Sequence, residues 1–311
     1  MTRPGKEREG ILLVPKLSPT EKGVRIFFLV CAMAALGQML LIMIFLFSEA
    51  AGLFVNTGDS GAVSLSEFFF SLDWYPTYPD PSYGSLALAA GSLAVTLVSI
   101  AMAAPLGIGL AIYLSEVASR RAREWLKPCV ELLAAIPSVV LGFVGMILVA
   151  PFMQNVLNLP TGLNVLNCGI FLAVMATPTI ASLGEDALSA VPQSVKDASH
   201  ALGATKFETI WKVVVPSSLS GLSTAVILGL GRALGETIVV LMVAGGAAQI
   251  PRSLFDSVRP LTSTLAAEMG ETAMGSAHYH ALFALGAVLF LLTLAFNLLA
   301  FFLGRHWRRN S

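Results

Sequence analysis

Apolar positions in this chain gather into six long runs, at residues 24–48, 86–115, 129–152, 164–184, 217–248 and 279–303. About 20 predominantly apolar residues suffice for a helix to cross the hydrocarbon core. Each run therefore predicts one transmembrane helix, with surplus length taken up by tilt or by extension past the bilayer. The first run is too long for a signal-peptide core of about 7–15 residues and reads as an uncleaved helix. The predicted fold class is an all-α polytopic membrane protein with six transmembrane helices.

The polar connections orient these spans. Arg3, Lys6, Arg8, Lys16, Lys22 and Arg25 come before or at the start of span one, whereas residues 49–85 hold no Lys or Arg. Arg120, Arg121, Arg123 and Lys127 follow span two, and residues 153–163 again hold none. Lys196, Lys206 and Lys212 follow span four, residues 249–278 hold Arg252 and Arg259, and Arg305, Arg308 and Arg309 close the chain. Cytoplasmic connections carry excess Lys and Arg, so the alternation predicts cytoplasmic N- and C-termini. The organisation expected is a cytoplasmic N-terminal segment 1–23, a transmembrane domain 24–303 with a cytoplasmic loop 185–216, and a cytoplasmic tail 304–311. Pro105, Pro137 and Pro178 lie inside apolar runs, where each removes a backbone bond and can kink a helix. They are either ordinary membrane-helix prolines or breaks that line a cavity.

Composition narrows the function classes. Hydrophobic residues make up 56% and charged residues 12%, against about 25% charged in soluble domains, and mean hydropathy is +0.78. The formal net charge is zero, so no global field draws nucleic acid. Cys31, Cys129 and Cys168 lack metal-ligand spacing and read as lipid-facing or core thiols. There is no G-x-x-x-x-G-K-[ST] phosphate loop and no H-E-x-x-H. His278 and His280 lie close together at the start of span six, as boundary residues or, less favoured, a two-His metal site. No metal site and no catalytic site is expected in this chain.

The segment "EDALSAVPQSVKDASHALGATKFETIWKVVVP", 185–216, predicts two short amphipathic helices. Pro192 suits a helix start. Val195, Ala198 and Leu202 share a face, Gly203 fits the position past a helix end, and Thr205 with Glu208 forms a capping box. Its apolar face would lie on the membrane surface or dock into another protein.

The stretch "LGLGRALGET" places Arg232 and Glu236 within span five. A charge at a helix centre costs about 2.5–3.5 kcal/mol on insertion scales. Four residues apart, the two share a helical face and come within pairing reach. Either the pair closes on itself and pins span five, or its face lines an aqueous path and meets an anion, for which Arg's planar fork suits oxyanion oxygens. Glu236 would then restrain an otherwise over-tight contact. Gly229, Gly231 and Gly235 allow close approach or leave space, and Thr237 adds a hydroxyl. In 249–278, Thr262-Ser263-Thr264 marks either an outer gate helix, with Leu265 and Met269 as its apolar stripe, or a surface connection. The aromatic stretch 68–84 reads as an interfacial belt.

Within 185–216, Asp197-Ala198-Ser199, Gly203-Ala204 and Pro216 resemble the Glu-Ala-Ala loop of ABC importer permeases, with Asp197 for Glu and Ser199 for the second Ala. In that family this short helix sits in a cleft of the ATPase subunit. "IYLSEVA", "ELLAAIPSVVLGFVG", "ATPTIASLGEDALSAVP", "ALGATKFETIWKVVVP", "LGRALGET" and "HYHALFALGAVLFLLTLAFN" together resemble the PstC family, permease subunits of bacterial phosphate-specific ABC importers. That resemblance implies a type I ABC importer permease fold in the inner membrane. It implies phosphate passage by alternating access that depends on Arg232 and Glu236. It also implies a second permease subunit (PstA-like), an ATPase dimer that binds ATP and Mg (PstB-like), and an outer-face phosphate-binding protein (PstS-like). A permease for another oxyanion, such as sulfate or molybdate, is the nearest alternative. A self-contained secondary transporter is less favoured, because of the cytoplasmic helix pair with its docking face and because no additional intramembrane acids offer a proton relay.

Overall fold

The computed structural model describes residues 19–55 and 62–310. Residues 1–18 of the expected N-terminal segment lie outside them. Two compact units divide after Leu46. The described part of the first is helix α1, Pro19–Gly52, up to Leu46. The second unit holds everything from Phe47 onward.

That unit begins with α2 (Leu65–Phe70) and a two-stranded hairpin, β1 (Trp74–Tyr75) and β2 (Ser82–Tyr83). Helix α3, Leu86–Ile112, runs on through a wide π turn, Tyr113–Val117. Next come α4 (Arg120–Ala135), α5 (Ser138–Val144) and α6 (Ala150–Leu157). Then follow α7 (Val165–Ser189), α8 (Gln193–Ala201), α9 (Lys206–Thr209), α10 (Val215–Leu234) and α11 (Ile238–Val243). Helix α12 (Leu261–Glu268) and α13 (Ala277–Asn310) complete the chain. Among the described residues, six helical stretches are long and apolar enough to cross a membrane: 20–52, 86–117, 138–157, 165–189, 206–234 and 277–299.

Two of the six expected spans need correction. Span three starts at Ser138, not at 129, because Cys129–Ala135 belongs to α4, a separate helix whose sequence "RRAREWLKPCVELLAA" is charged along one side. Ile136 is extended (φ −62, ψ 127), as the residue before a proline prefers, and the chain turns there. Pro137 is thus a true break, whereas Pro105 and Pro178 lie inside continuous helices. Span five ends at Leu234 and starts earlier than expected, at Lys206. The second helix expected in 185–216 is therefore the foot of span five, joined to it through the π turn Ile210–Val214.

Helix α7 is the centre of the unit: 67% of its most apolar stretch is buried, more than in any other span. It packs on α3 and α10 through Ala103, Ala173, Ala176, Ile180 and Ala225. Small side chains let helix backbones come close, which matters where lipid supplies no hydrophobic drive between helices. At Gly229 the approach is tight enough that an added Cβ would lie 2.5 Å from Ile180 Cγ1. A second cluster, including Val95, Phe171, Leu172, Val239 and Val243, seats α11 against α3 and α7.

Helix α12 is not a surface connection. Thr262, Ser263 and Thr264 are buried, and their first turn is anchored by Ser92 on α3, whose Oγ accepts the Leu261 N–H at 2.8 Å. Leu265 and Met269, the stripe expected to pack, are only half-buried. The aromatic stretch also departs in part from an interfacial belt. Phe68, Trp74 and Tyr83 are buried in protein, while Phe69, Phe70, Tyr75 and Tyr78 stay exposed. Burial raises the Tyr83 hydroxyl above its ordinary range.

Candidate functional site

Helix α10 stops at Leu234, with Gly235 as its cap (φ −84, ψ −3), and α11 restarts after Thr237. Glycine is a poor helix former, and Gly231 and Gly235 weaken the last turn of α10. The packing of α11 into its own cluster supplies a second helix start. Broken helices at membrane depth are tolerated where freed backbone groups meet protein or water, and such breaks often form transport sites. The Thr237 hydroxyl takes part in the break, donating to the Gly235 carbonyl at 3.4 Å.

This break removes the alternative in which Arg232 and Glu236 close on each other. Spacing by four brings side chains together only on a continuous helix; here one residue precedes the break and the other follows the cap. No ion pair joins them among the described residues. Arg232, in the last turn of α10, is exposed in the isolated chain, and its Nη1 reaches the Thr179 hydroxyl on α7 at 3.5 Å. A cation suits that position because carbonyl dipoles give a helix C-terminus partial negative charge. Glu236 lines a small cavity with Ser92, Thr96, Ala233, Val240 and Thr262. Gly231, beside Arg232, has open space where a side chain would stand.

The segment 185–216 forms a second site. Helix α8 follows Pro192 and ends at Leu202; Gly203 then takes φ +85, a left-handed conformation that favours glycine. The Thr205–Glu208 capping box forms on both sides: Thr205 Oγ1 accepts the Glu208 N–H at 3.3 Å, and Glu208 Oε2 accepts the Thr205 N–H at 3.0 Å. Caps of this kind contribute about 1 kcal/mol. Ser199 contacts the buried Thr209 hydroxyl at 2.9 Å, and the Ala204 N–H donates to the Ser199 carbonyl at 3.2 Å. These bonds fold the loop tightly around Gly203. Asp197 is held by Gln193 Nε2 at 3.0 Å. Asp197, Ala198 and Pro216 are exposed, with Pro216 in the first turn of α10. Leu202, Phe207 and Trp211 expose 90%, 70% and 51% of their surface, and the Phe207 and Trp211 rings lie 6.1 Å apart.

Sequence reading missed a third cluster. Glu268, at the end of α12, accepts from Trp74 Nε1 at 3.1 and 3.2 Å, lies 2.8 Å from His278 Nε2, and pairs with Arg259. His280 faces a different carboxylate, Glu49, at 3.2 Å. The two histidines thus serve separate contacts instead of converging on one point. The signal for Glu268 was a lone acid in a Ser/Thr-rich helix, too faint without the fold.

Residues 103–309 match the family described as the binding-protein-dependent transport system inner membrane component. The chain belongs to that family. The permease is 41% identical over 275 residues to the probable ABC transporter permease protein YqgH of Bacillus subtilis, covering 88% of each chain. It is 33% identical over 273 residues to the phosphate transport system permease protein PstC of Mesorhizobium japonicum, covering 82% of this chain and 83% of that one. The Xylella fastidiosa protein of the same name is 31% identical over 316 residues, covering 93% and 95%. In fold, the permease matches a bacterial ABC transporter involved in import of the acidic polysaccharide alginate. The TM-score is 0.61 at 14% identity, over 93% of this chain and 99% of that one. It also matches the inward-facing MetNI methionine ABC transporter, with a TM-score of 0.55 at 22% identity, over 70% and 93%. The permease is a multi-pass inner-membrane protein of the type I ABC importer permease fold.

Proposed function

We propose that this permease carries inorganic phosphate inward as one of two membrane subunits of an ATP-driven importer, with both termini in the cytoplasm. The observation that carries the reading is the broken fifth span. Among the described residues no ion pair joins the Arg232 guanidinium to a carboxylate, and a charge within a membrane-spanning stretch is stable only with water or a ligand beside it. A guanidinium fork binds the oxygens of a tetrahedral oxyanion. Glu236 stands among hydroxyl side chains across the break, where a carboxylate repels a fully ionised anion and accepts a hydrogen bond only from one that still carries a proton. Hydrogen phosphate carries such a proton near neutral pH, and sulfate does not. Thr237 supplies a further hydroxyl at the hinge. The relatives named as phosphate transport permeases support the same substrate.

The loop bearing Asp197, Ala198, Ser199, Gly203, Ala204 and Pro216 docks an ATPase subunit, which binds ATP and Mg. A second permease chain (PstA-like), an ATPase dimer (PstB-like) and an outer-face phosphate-binding protein (PstS-like) complete the assembly. The test is uptake of labelled orthophosphate by the reconstituted complex, with sulfate and molybdate as competitors. Unlabelled phosphate alone should compete. Equal competition by sulfate or molybdate would move the assignment to another oxyanion.

A further inference from the structure

Between Gln193 and Ala198, Lys196 alone is not exposed. Its Nζ lies 2.6 Å from Oε1 of Glu116, and the two side chains are only 14% and 9% exposed. Glu116 stands in the π turn that ends span two. Beside it, Ser115 donates to Glu116 Oε1 at 3.1 Å and meets the Ser189 hydroxyl at the end of α7 at 3.3 Å. Arg123 on α4 donates from Nε to the Leu114 carbonyl at 2.7 Å and from Nη2 to the Ser115 carbonyl at 2.6 Å. It also lies 3.9 Å from Glu185 on α7, whose second oxygen is 3.0 Å from Lys127 Nζ, an ion pair by distance without hydrogen-bond direction. An unbroken set of polar contacts therefore runs from α8 through the end of α3 to α4 and α7.

Two other ion pairs of this region are of a different kind. Lys212–Glu208 and Arg120–Glu124 join neighbours on one helix and are largely exposed, and such pairs constrain little. Lys196–Glu116 links segments 80 residues apart. Pulling its partners apart would leave two charges without compensation in a low-dielectric pocket.

We propose that Lys196 and Glu116 form the strut through which movement of α8 reaches the end of span two, making both positioning residues for ATP-driven transport. This rests on the reading of 185–216 as the ATPase-docking segment. Neither residue touches substrate; their role is to keep α8 and the foot of α3 moving as one body. Coupling between sites becomes a physical claim when both sites bias one element with discrete positions, and this pair supplies the link between the two.

The experiment uses the full complex in proteoliposomes with its binding protein loaded with orthophosphate. Four variants are compared: Glu116→Gln, Lys196→Met, Lys196→Arg, and the exchange Glu116→Lys with Lys196→Glu. The readouts are the ATPase retained on purification, the stimulation of ATP hydrolysis by the binding protein, and orthophosphate uptake. Glu116→Gln and Lys196→Met should retain the ATPase yet lose stimulation by about tenfold, within the range of measured site-to-site coupling. Lys196→Arg should keep stimulation, and the exchange should recover most of it. Unchanged stimulation in Glu116→Gln overturns the strut. So does a loss that follows release of the ATPase and is not recovered by the exchange. A wild-type complex that responds to binding protein but carries no orthophosphate counts against the substrate reading alone. A wild-type chain that retains no ATPase counts against the docking reading and removes the basis of the strut.

Discussion

Lys196 and Arg232 are cations in the same small protein with opposite surroundings. Lys196 has a carboxylate 2.6 Å away and is nearly withdrawn from solvent. Arg232 lies in an apolar span, yet its recorded partner is a hydroxyl at 3.5 Å and its side chain is exposed. A charge matched by an opposite charge in a dry pocket holds two segments in register, because separating them is costly. A charge left without its counter-ion at membrane depth is stable only with water or a ligand beside it. On the proposed reading, the first kind of charge serves position and the second serves an incoming anion.

The largest effect should come at the unmatched charge. Arg232→Gln removes the charge-assisted contact, worth about 3 kcal/mol or roughly a hundredfold in rate. Orthophosphate uptake should fall by that order while the complex purifies intact. Uptake within twofold of wild type would show that Arg232 does not meet the anion. Next comes a matched charge elsewhere. Glu268→Gln leaves Arg259 and His278 facing a neutral amide. It should lower the stability of the detergent-solubilised chain by about 2–3 kcal/mol, read as a drop in its thermal midpoint. No change there would mean that the outer cluster is as weak as a surface pair. Gly203→Val forces a β-branched residue to φ +85, at a cost of about 1–2 kcal/mol. Less ATPase should co-purify, with the spans still folded; full retention would undo the docking reading. Smallest is Arg120→Ala, which removes an exposed pair with Glu124 and should shift stability by no more than about 0.5 kcal/mol. A larger shift would blur the distinction between matched and merely neighbouring charges.

What the residues disclosed in advance was local or periodic. Six spans followed from run length. The Thr205–Glu208 box and the turn at Gly203 followed from short-range capping chemistry, which needs no knowledge of the fold. The break at 235–237 did not show, because Ile238–Val243 continues the apolar run and a hydropathy window averages across a cap. Cys129–Ala135 was misplaced for the related reason that one face of an amphipathic helix imitates the edge of a span. A closed Arg232–Glu236 pair stayed open as an alternative because the four-residue spacing rule holds only on unbroken helix. Lys196 and Glu116 were both in view, but no periodicity connects residues so far apart in the chain. The burial of Phe68, Trp74 and Tyr83 did not show, because aromatic composition reads as an interfacial belt and does not say which rings the fold covers.

The exposure of Leu202, Phe207 and Trp211 has a consequence for the life of the chain before assembly. An apolar patch presented to water invites self-association and recognition by folding and degradation machinery. A subunit made in excess of its ATPase would carry that mark until a partner covered it. If 185–216 docks an ATPase subunit as proposed, covering these side chains would also keep the subunits in proportion, by shortening the survival of any copy left alone.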